Sequence, residues 1–206
     1  MKIIFWSLFL WLFVFAAVTS TAKVRFGLKT GFNSSTMTLK TSGLSIEPYA
    51  VLGIHAGVLS EIPLNGQLFL QPGVFFSLKG SGYYVDGYDT TILPGFLEFP
   101  VNLLYKIDLK PFKVLMFGGP YFAFGVSGYY SSVTESKDII YGSGSDCDMR
   151  PFDFGLNLGS GFEFHRFQLT GQYGFGLKNL APMTTPKSEM KSRLFEVSLA
   201  YLFGKS

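Results

Sequence analysis

Charge is scarce in this chain. Only 15% of its 206 residues are Asp, Glu, Lys or Arg, against roughly 25% in a typical soluble domain. With 48% hydrophobic and 17% aromatic residues, a water-facing surface would display more apolar area than soluble proteins tolerate. Lipid is the solvent that suits this composition. Cysteine is almost missing: the single Cys147 excludes an intrachain disulfide and any cysteine-based zinc site. The net charge of +3 is small and scattered, and no dense Lys/Arg stripe carries interleaved aromatics. A nucleic-acid partner is therefore not expected. After residue 23 no apolar run is long enough for a membrane-spanning helix.

What is present begins with an export signal. Lys2 gives a positive start, Ile3 to Val18 is an almost continuous apolar run, and Ser20-Thr21-Ala22 offers small residues for cleavage. That run is shorter than the roughly 20 residues a spanning helix requires. The expected organisation is a cleaved signal peptide over 1–22 and one domain over 23–206, with Lys23 as the mature N-terminus.

The domain alternates with a period of two, the mark of strands with two unlike faces. Val24, Phe26, Leu28 and Phe32 share one side of the first strand, while Arg25, Gly27, Lys29 and Gly31 share the other. The pattern predicts strands over 23–32, 49–60, 67–79, 95–107, 113–127, 152–164, 167–178 and 191–203. Long polar segments over 33–48, 80–94, 128–151 and 179–190 alternate with short turns near Glu61–Gly66, Asp108–Phe112 and His165–Arg166. Such asymmetry belongs to outer-membrane barrels, with tight periplasmic turns and longer outer loops. The expected fold is all-β, an eight-stranded antiparallel up-and-down transmembrane β-barrel with both termini periplasmic.

Periodicity does not say which face points outward, and a soluble ligand-binding barrel would alternate too. Volume separates the two, because an eight-stranded barrel encloses little more than its own side chains. Leu97, Phe99, Val101, Leu103 and Tyr105, with Phe154, Leu156, Leu158, Phe162 and Phe164, are too bulky to share that interior. The opposite face is crowded with glycines, among them Gly31, Gly57 and Gly159. The large residues are therefore assigned to lipid. The lumen then receives Arg25, Lys29, His55, Lys79, Glu98, Lys106, Asp153, Glu163 and Glu196, with Gln71, Asn102, Asn157, Gln168 and Gln172 among them. Buried charges require partners. If the first and last strands pair antiparallel with residue numbers summing to about 227, Lys29 lies near Glu196 and the two are expected to pair. The set reads as a structural polar network; a gated conduit is the alternative.

Particular stretches resemble a known family. Phe96-Leu97-Glu98-Phe99-Pro100-Val101-Asn102-Leu103-Leu104-Tyr105-Lys106 is similar to the fourth strand of the PorT-like outer-membrane β-barrels of Bacteroidetes. Gly118-Gly119-Pro120-Tyr121, Phe152 to Gly159, Gln172 to Asn179 and the opening Phe26 to Asn33 resemble them too. The resemblance spans the mature chain. It implies an outer-membrane or porin-type protein, one branch of which serves secretion and surface display. It carries over no catalytic residues.

Chemistry elsewhere is sparse. His55 alternates onto the glycine face, where Ser77 or Ser198 could meet it only by accident of register, so a Ser-His hydrolase is a minor reading. His165 occupies the tightest turn. The Gly142-to-Cys147-Asp148 stretch reads as a mobile loop rather than a metal site. Tyr49, Tyr105, Tyr121, Tyr173 and Tyr201 are candidates for interfacial girdles, and Tyr83, Tyr84, Tyr88, Tyr129 and Tyr130 for sugar-stacking loop positions. Phe69, Phe75, Leu104, Leu115 and Phe117 are expected to block the lumen. The expectation is a non-catalytic envelope protein without cofactor or metal. Its expected partners are outer-membrane lipids, the barrel-assembly machinery and envelope or secretion proteins. A narrow channel, a periplasmic binding barrel and a hydrolase are the alternatives.

Overall fold

A computed structural model describes residues 24–41, 44–85, 87–132, 136–142, 144, 146–181 and 189–204. The predicted signal peptide lies outside them. The described residues form eleven strands: β1 (Arg25–Thr41), β2 (Leu44–Ile46), β3 (Pro48–Asn65), β4 (Leu68–Leu78), β5 (Ser81–Val85), β6 (Tyr88–Asp108), β7 (Lys113–Ser131), β8 (Ser136–Asp138), β9 (Phe152–Phe164), β10 (Phe167–Gly176) and β11 (Glu189–Phe203). Eight long strands pair antiparallel in the order β1-β3-β4-β6-β7-β9-β10-β11. The β1–β11 ladder closes the ring. The short strands β2, β5 and β8 extend hairpins at the end remote from the described termini.

Two tight turns sit at the terminal end. Gly66, between β3 and β4, takes a left-handed φ of 48°, where a residue without Cβ is unstrained. His165, between β9 and β10, adopts φ 54° while its exposed ring packs on Phe164.

All eight predicted strands form, but several outrun their predicted ends. β1 continues to Thr41 and β6 begins at Tyr88, so much of the 33–48 and 80–94 segments is paired hairpin rather than loop. The reason is physical. Beyond the apolar band water meets both faces, so the hydrophobic alternation fades while the backbone ladder continues.

The faces divide as the volume argument requires. Phe26, Leu28, Phe32, Ile54, Leu103, Leu156, Leu158, Phe162 and Leu199 are exposed on the outer wall, which rules out an inward apolar cavity. Inside, glycines let neighbours approach: a Cβ on Gly57 would lie 2.6 Å from the Cα of Phe75, and one on Gly31 2.8 Å from the His55 ring. Tyr121 departs from its predicted interfacial place. It is only 3% exposed and points inward, where its hydroxyl donates to Asp153. Tyr83, predicted on a loop surface, is equally buried and donates to the Met37 carbonyl at 2.6 Å.

Three apolar clusters interrupt the lumen. Leu104, Leu115 and Phe117, with Phe69 against them, form one nearer the terminal end; Leu59, Phe75, Ala200 and Leu202 form another. The remote mouth is capped by Met37, Phe96, Tyr121, Ala123, Ile139, Met149, Leu180, Ala181 and Met190.

Candidate functional site

The register of β1 on β11 decides who meets whom in the lumen. Lys29 lies opposite Ala200 and Asn33 opposite Glu196, so paired numbers sum to 229 rather than 227. The expected Lys29–Glu196 pair does not form. Lys29 instead holds its ammonium 5.3 Å from the centre of the Phe75 ring, and no carboxylate comes within ion-pair distance among the described residues. Glu196 accepts a 2.8 Å hydrogen bond from Gln172 and lies 3.8 Å from His55 Nδ1.

Six of the other predicted lumen residues fall into two ionic groups at different heights. Nearest the terminal end, Arg25 of β1 reaches Glu61 Oε2 at 2.5 Å and Glu163 Oε2 at 3.0 Å. The Lys106 ammonium bridges the same two carboxylates at 2.8 and 2.5 Å. Gln168 donates to both, at 2.7 and 2.8 Å. Two buried cations thus face two buried anions in a lattice drawn from β1, β3, β6, β9 and β10, with the partly exposed Lys113 of β7 at its edge, 3.8 Å from Glu163. Buried charges persist on these terms, paired and hydrogen-bonded.

Higher in the lumen, Lys79 is bonded to Glu98 and lies 3.7 Å from Asp153. Its ammonium sits between the rings of Phe96 and Tyr121, at 5.0 and 4.7 Å. Asp153 accepts from Tyr121 and Ser192 as well. Between the two groups, His55 Nε2 is 2.9 Å from Ser198 Oγ, and β3–β4 pairing sets His55 opposite Ser77.

Sequence reasoning missed Glu61, which is fully buried at the centre of the lattice. The signal was there. The alternation Gly53, His55, Gly57, Leu59 continues to Glu61 on the same inward face, but the predicted strand stopped one residue short.

Ser198, His55 and Glu196 have the connectivity of a nucleophile, a base and an orienting acid. The geometry does not complete it. The 3.8 Å separation of His55 from Glu196 exceeds a hydrogen bond, and Ser198 is 1% exposed. The adjoining cavity of about 20 Å³ is lined by Lys29, His55, Glu98, Asn102, Gln172 and Glu196 among others, but not by Ser198. It accommodates one water, not an acyl substrate. A second cavity of about 10 Å³ lies beside Gln71, Leu104, Leu115 and Phe117.

In the segment around Cys147, Asp148 is tied to its neighbours. Asp148 takes hydrogen bonds from Lys137 at 2.9 Å and from the Ile140 amide at 3.0 Å. Partial burial works to raise its pKa, but these two donors outweigh it and hold the carboxyl below the ordinary aspartate range. Among the described residues no cluster of three His, Cys, Asp or Glu side chains could hold a metal ion.

A closed ring of eight antiparallel strands, apolar outside and polar within, defines a membrane-spanning β-barrel. The chain belongs to the outer-membrane protein β-barrel domain family, whose model matches residues 15–181. It is a protein of the bacterial outer membrane. No curated protein matches it in sequence. Among solved structures it is similar to the attachment invasion locus protein Ail of Yersinia pestis in complex with the heparin analogue sucrose octasulfate, at 13% identity and TM-score 0.45, covering 88% of this chain and 100% of that one. It is similar also to Neisserial surface protein A, at 10% identity and TM-score 0.47 over 86% and 97% of the chains. The outer-membrane protein OprG of Pseudomonas aeruginosa matches at 12% identity and TM-score 0.35, over 87% and 95%.

Proposed function

We propose that the protein is a closed, non-conducting and non-catalytic barrel of the PorT-like type found in Bacteroidetes. It is exported by a cleaved signal peptide over 1–22 and inserted by the barrel-assembly machinery, with both mature termini in the periplasm. Its work is done at its surface, through the loop end or as an accessory in envelope assembly or secretion. Arg25, Lys29, His55, Lys79, Glu98, Lys106, Asp153, Glu163 and Glu196 serve structure, joining the strands from within. One observation supports this reading: the two cavities described among the lumen residues measure only about 20 and 10 Å³. Neither admits more than a single water. Ionic lattice, apolar cluster, Lys79 group and mouth cap lie in series, so an ion would have to displace several packed layers.

Recording from the purified protein in planar bilayers tests this. The expected result is a quiet membrane with at most brief, rare openings. Steady open conductance would overturn the closed-barrel reading in favour of a narrow porin-like channel.

A further inference from the structure

The alternation that writes the lipid-facing wall does not stop where the apolar residues stop. On β11 the outward positions run Phe203, Tyr201, Leu199, Val197, Phe195 and then Arg193 and Lys191. Strands rise about 3.3 Å per residue and tilt by roughly 40°. Ten steps from Phe203 to Arg193 therefore cover about 25 Å along the barrel axis, the full height of an apolar band. Arg193 stands at the upper edge of that band, where lipid headgroups begin. A cation is costly in mid-bilayer and nearly free at this height.

Arg193 is also aimed. Its Nη1 donates to the carbonyls of Gly176 and Ser192 at 3.0 and 3.1 Å, and its guanidinium lies 5.8 Å from the Phe175 ring centre. Its Nε and Nη2 donors have no protein acceptor among the described residues. On β1 the register sets Thr36 opposite Arg193 and Thr38 opposite Lys191. Lys191 is bonded to Glu189, and Glu47 follows Ile46, which pairs with Leu39 next to Thr38. The surrounding rim adds Arg150 and the exposed Lys178. Across the barrel, on the hairpins built on β6 and β7, the rim carries Asp89 and Asp138.

We propose that Arg193 and Lys191, flanked by Thr36 and Thr38, bind the phosphate of an outer-leaflet glycolipid. A guanidinium with unused parallel donors matches phosphate oxygens in charge and shape. Basic residues at a membrane surface each add attraction for anionic headgroups. The assignment to the outer leaflet rests on the orientation proposed above.

The test uses the folded full barrel in detergent, with bisphosphorylated lipid A as probe and retention read by native mass spectrometry. Wild type is expected to retain lipid A and to ignore its dephosphorylated form. The double variant Arg193→Gln/Lys191→Gln should bind roughly thirtyfold more weakly, whereas Lys137→Gln on the far rim should match wild type. Should the double variant not fold, as judged by its unheated gel mobility, Lys191→Gln alone with Lys178→Gln is read in its place. Equal retention of the dephosphorylated lipid, or undiminished binding by the variants, overturns the site. Displacement of lipid A by millimolar inorganic phosphate would mark a free-anion site and overturn the lipid assignment. Orientation is read separately, by maleimide labelling of Tyr88→Cys in a Cys147→Ser background on intact cells. Labelling from outside supports the leaflet assignment. Labelling only after lysis removes it, while the detergent measurement still decides whether the phosphate site exists.

Discussion

Replacing Glu61 with Gln probes the ionic lattice with almost no change in volume. In the native barrel the buried charges balance, Arg25 and Lys106 against Glu61 and Glu163, while the partly exposed Lys113 lies 3.8 Å from Glu163 at the edge. Glu61 is 0% exposed, so the substitution leaves one uncompensated positive charge in a place water does not reach. Removing one partner of a buried pair costs about 3–5 kcal/mol. The Gln oxygen can still accept from Arg25, so the lower end, about 3 kcal/mol, is expected. Lys106→Gln alone should cost about 3 kcal/mol by the same reasoning. In the double variant Arg25 and Glu163 restore neutrality, so its cost should fall at least about 1.5 kcal/mol short of the sum. The assay is urea unfolding in phosphatidylcholine vesicles, followed by loss of the fast-migrating folded band on unheated gels. Additivity of the two single effects, or a Glu61→Gln cost below about 0.5 kcal/mol, would refute the idea that charge balance holds this end of the barrel.

Further outcomes check other parts of the structure. Leu156→Arg, on the lipid face, should cost about 2–4 kcal/mol near the bilayer midplane, and Asn157→Ser beside it much less in the same unfolding assay; equal costs would mean the faces are exchanged. Gly57→Ala should destabilise by about 1–3 kcal/mol, because its Cβ would press on the Phe75 backbone at 2.6 Å; an unchanged midpoint would show that β3 and β4 can part without penalty. The Asp148 carboxyl titrates below its unfolded value, so its tether is fully present above the ordinary aspartate range and is lost as pH falls through the lowered folded value. The hydrogen-exchange protection factor of the Ile140 amide should decline there, and Asp148→Asn should lower it at neutral pH. A protection factor indifferent to both changes would show that the side chain does not hold the loop.

The sequence made the two faces readable because strand side chains repeat every two residues and the lipid and lumen environments differ sharply. Leu156 and Asn157 illustrate it, adjacent and opposite in fate. The same period concealed the partners. Shifting the β1–β11 sum from 227 to 229 leaves every side chain on its proper face while moving each to a new neighbour, so Lys29 lost Glu196 without any visible change of pattern. Glu61 was hidden by the adjoining Ile62-Pro63-Leu64, which blurs the contrast between faces at the strand end. Tyr121 follows Gly118-Gly119-Pro120, where small residues on both faces erase the parity that would have turned it inward. Hairpin extensions such as Ser81–Val85 carry no contrast, since water lies on either side of them.

The lattice around Glu61 and Glu163 draws its members from strands scattered through the chain, with Arg25 and Glu163 separated by 138 positions. Single hairpins join Arg25 to Glu61 and Gln168 to Glu163, yet none of them alone assembles all four charges. A sheet still open at its seam therefore leaves charged groups stranded beside hydrocarbon, and their mutual satisfaction arrives only as the first strand meets the last. The keystone is set at the end, and it penalises every half-finished arch.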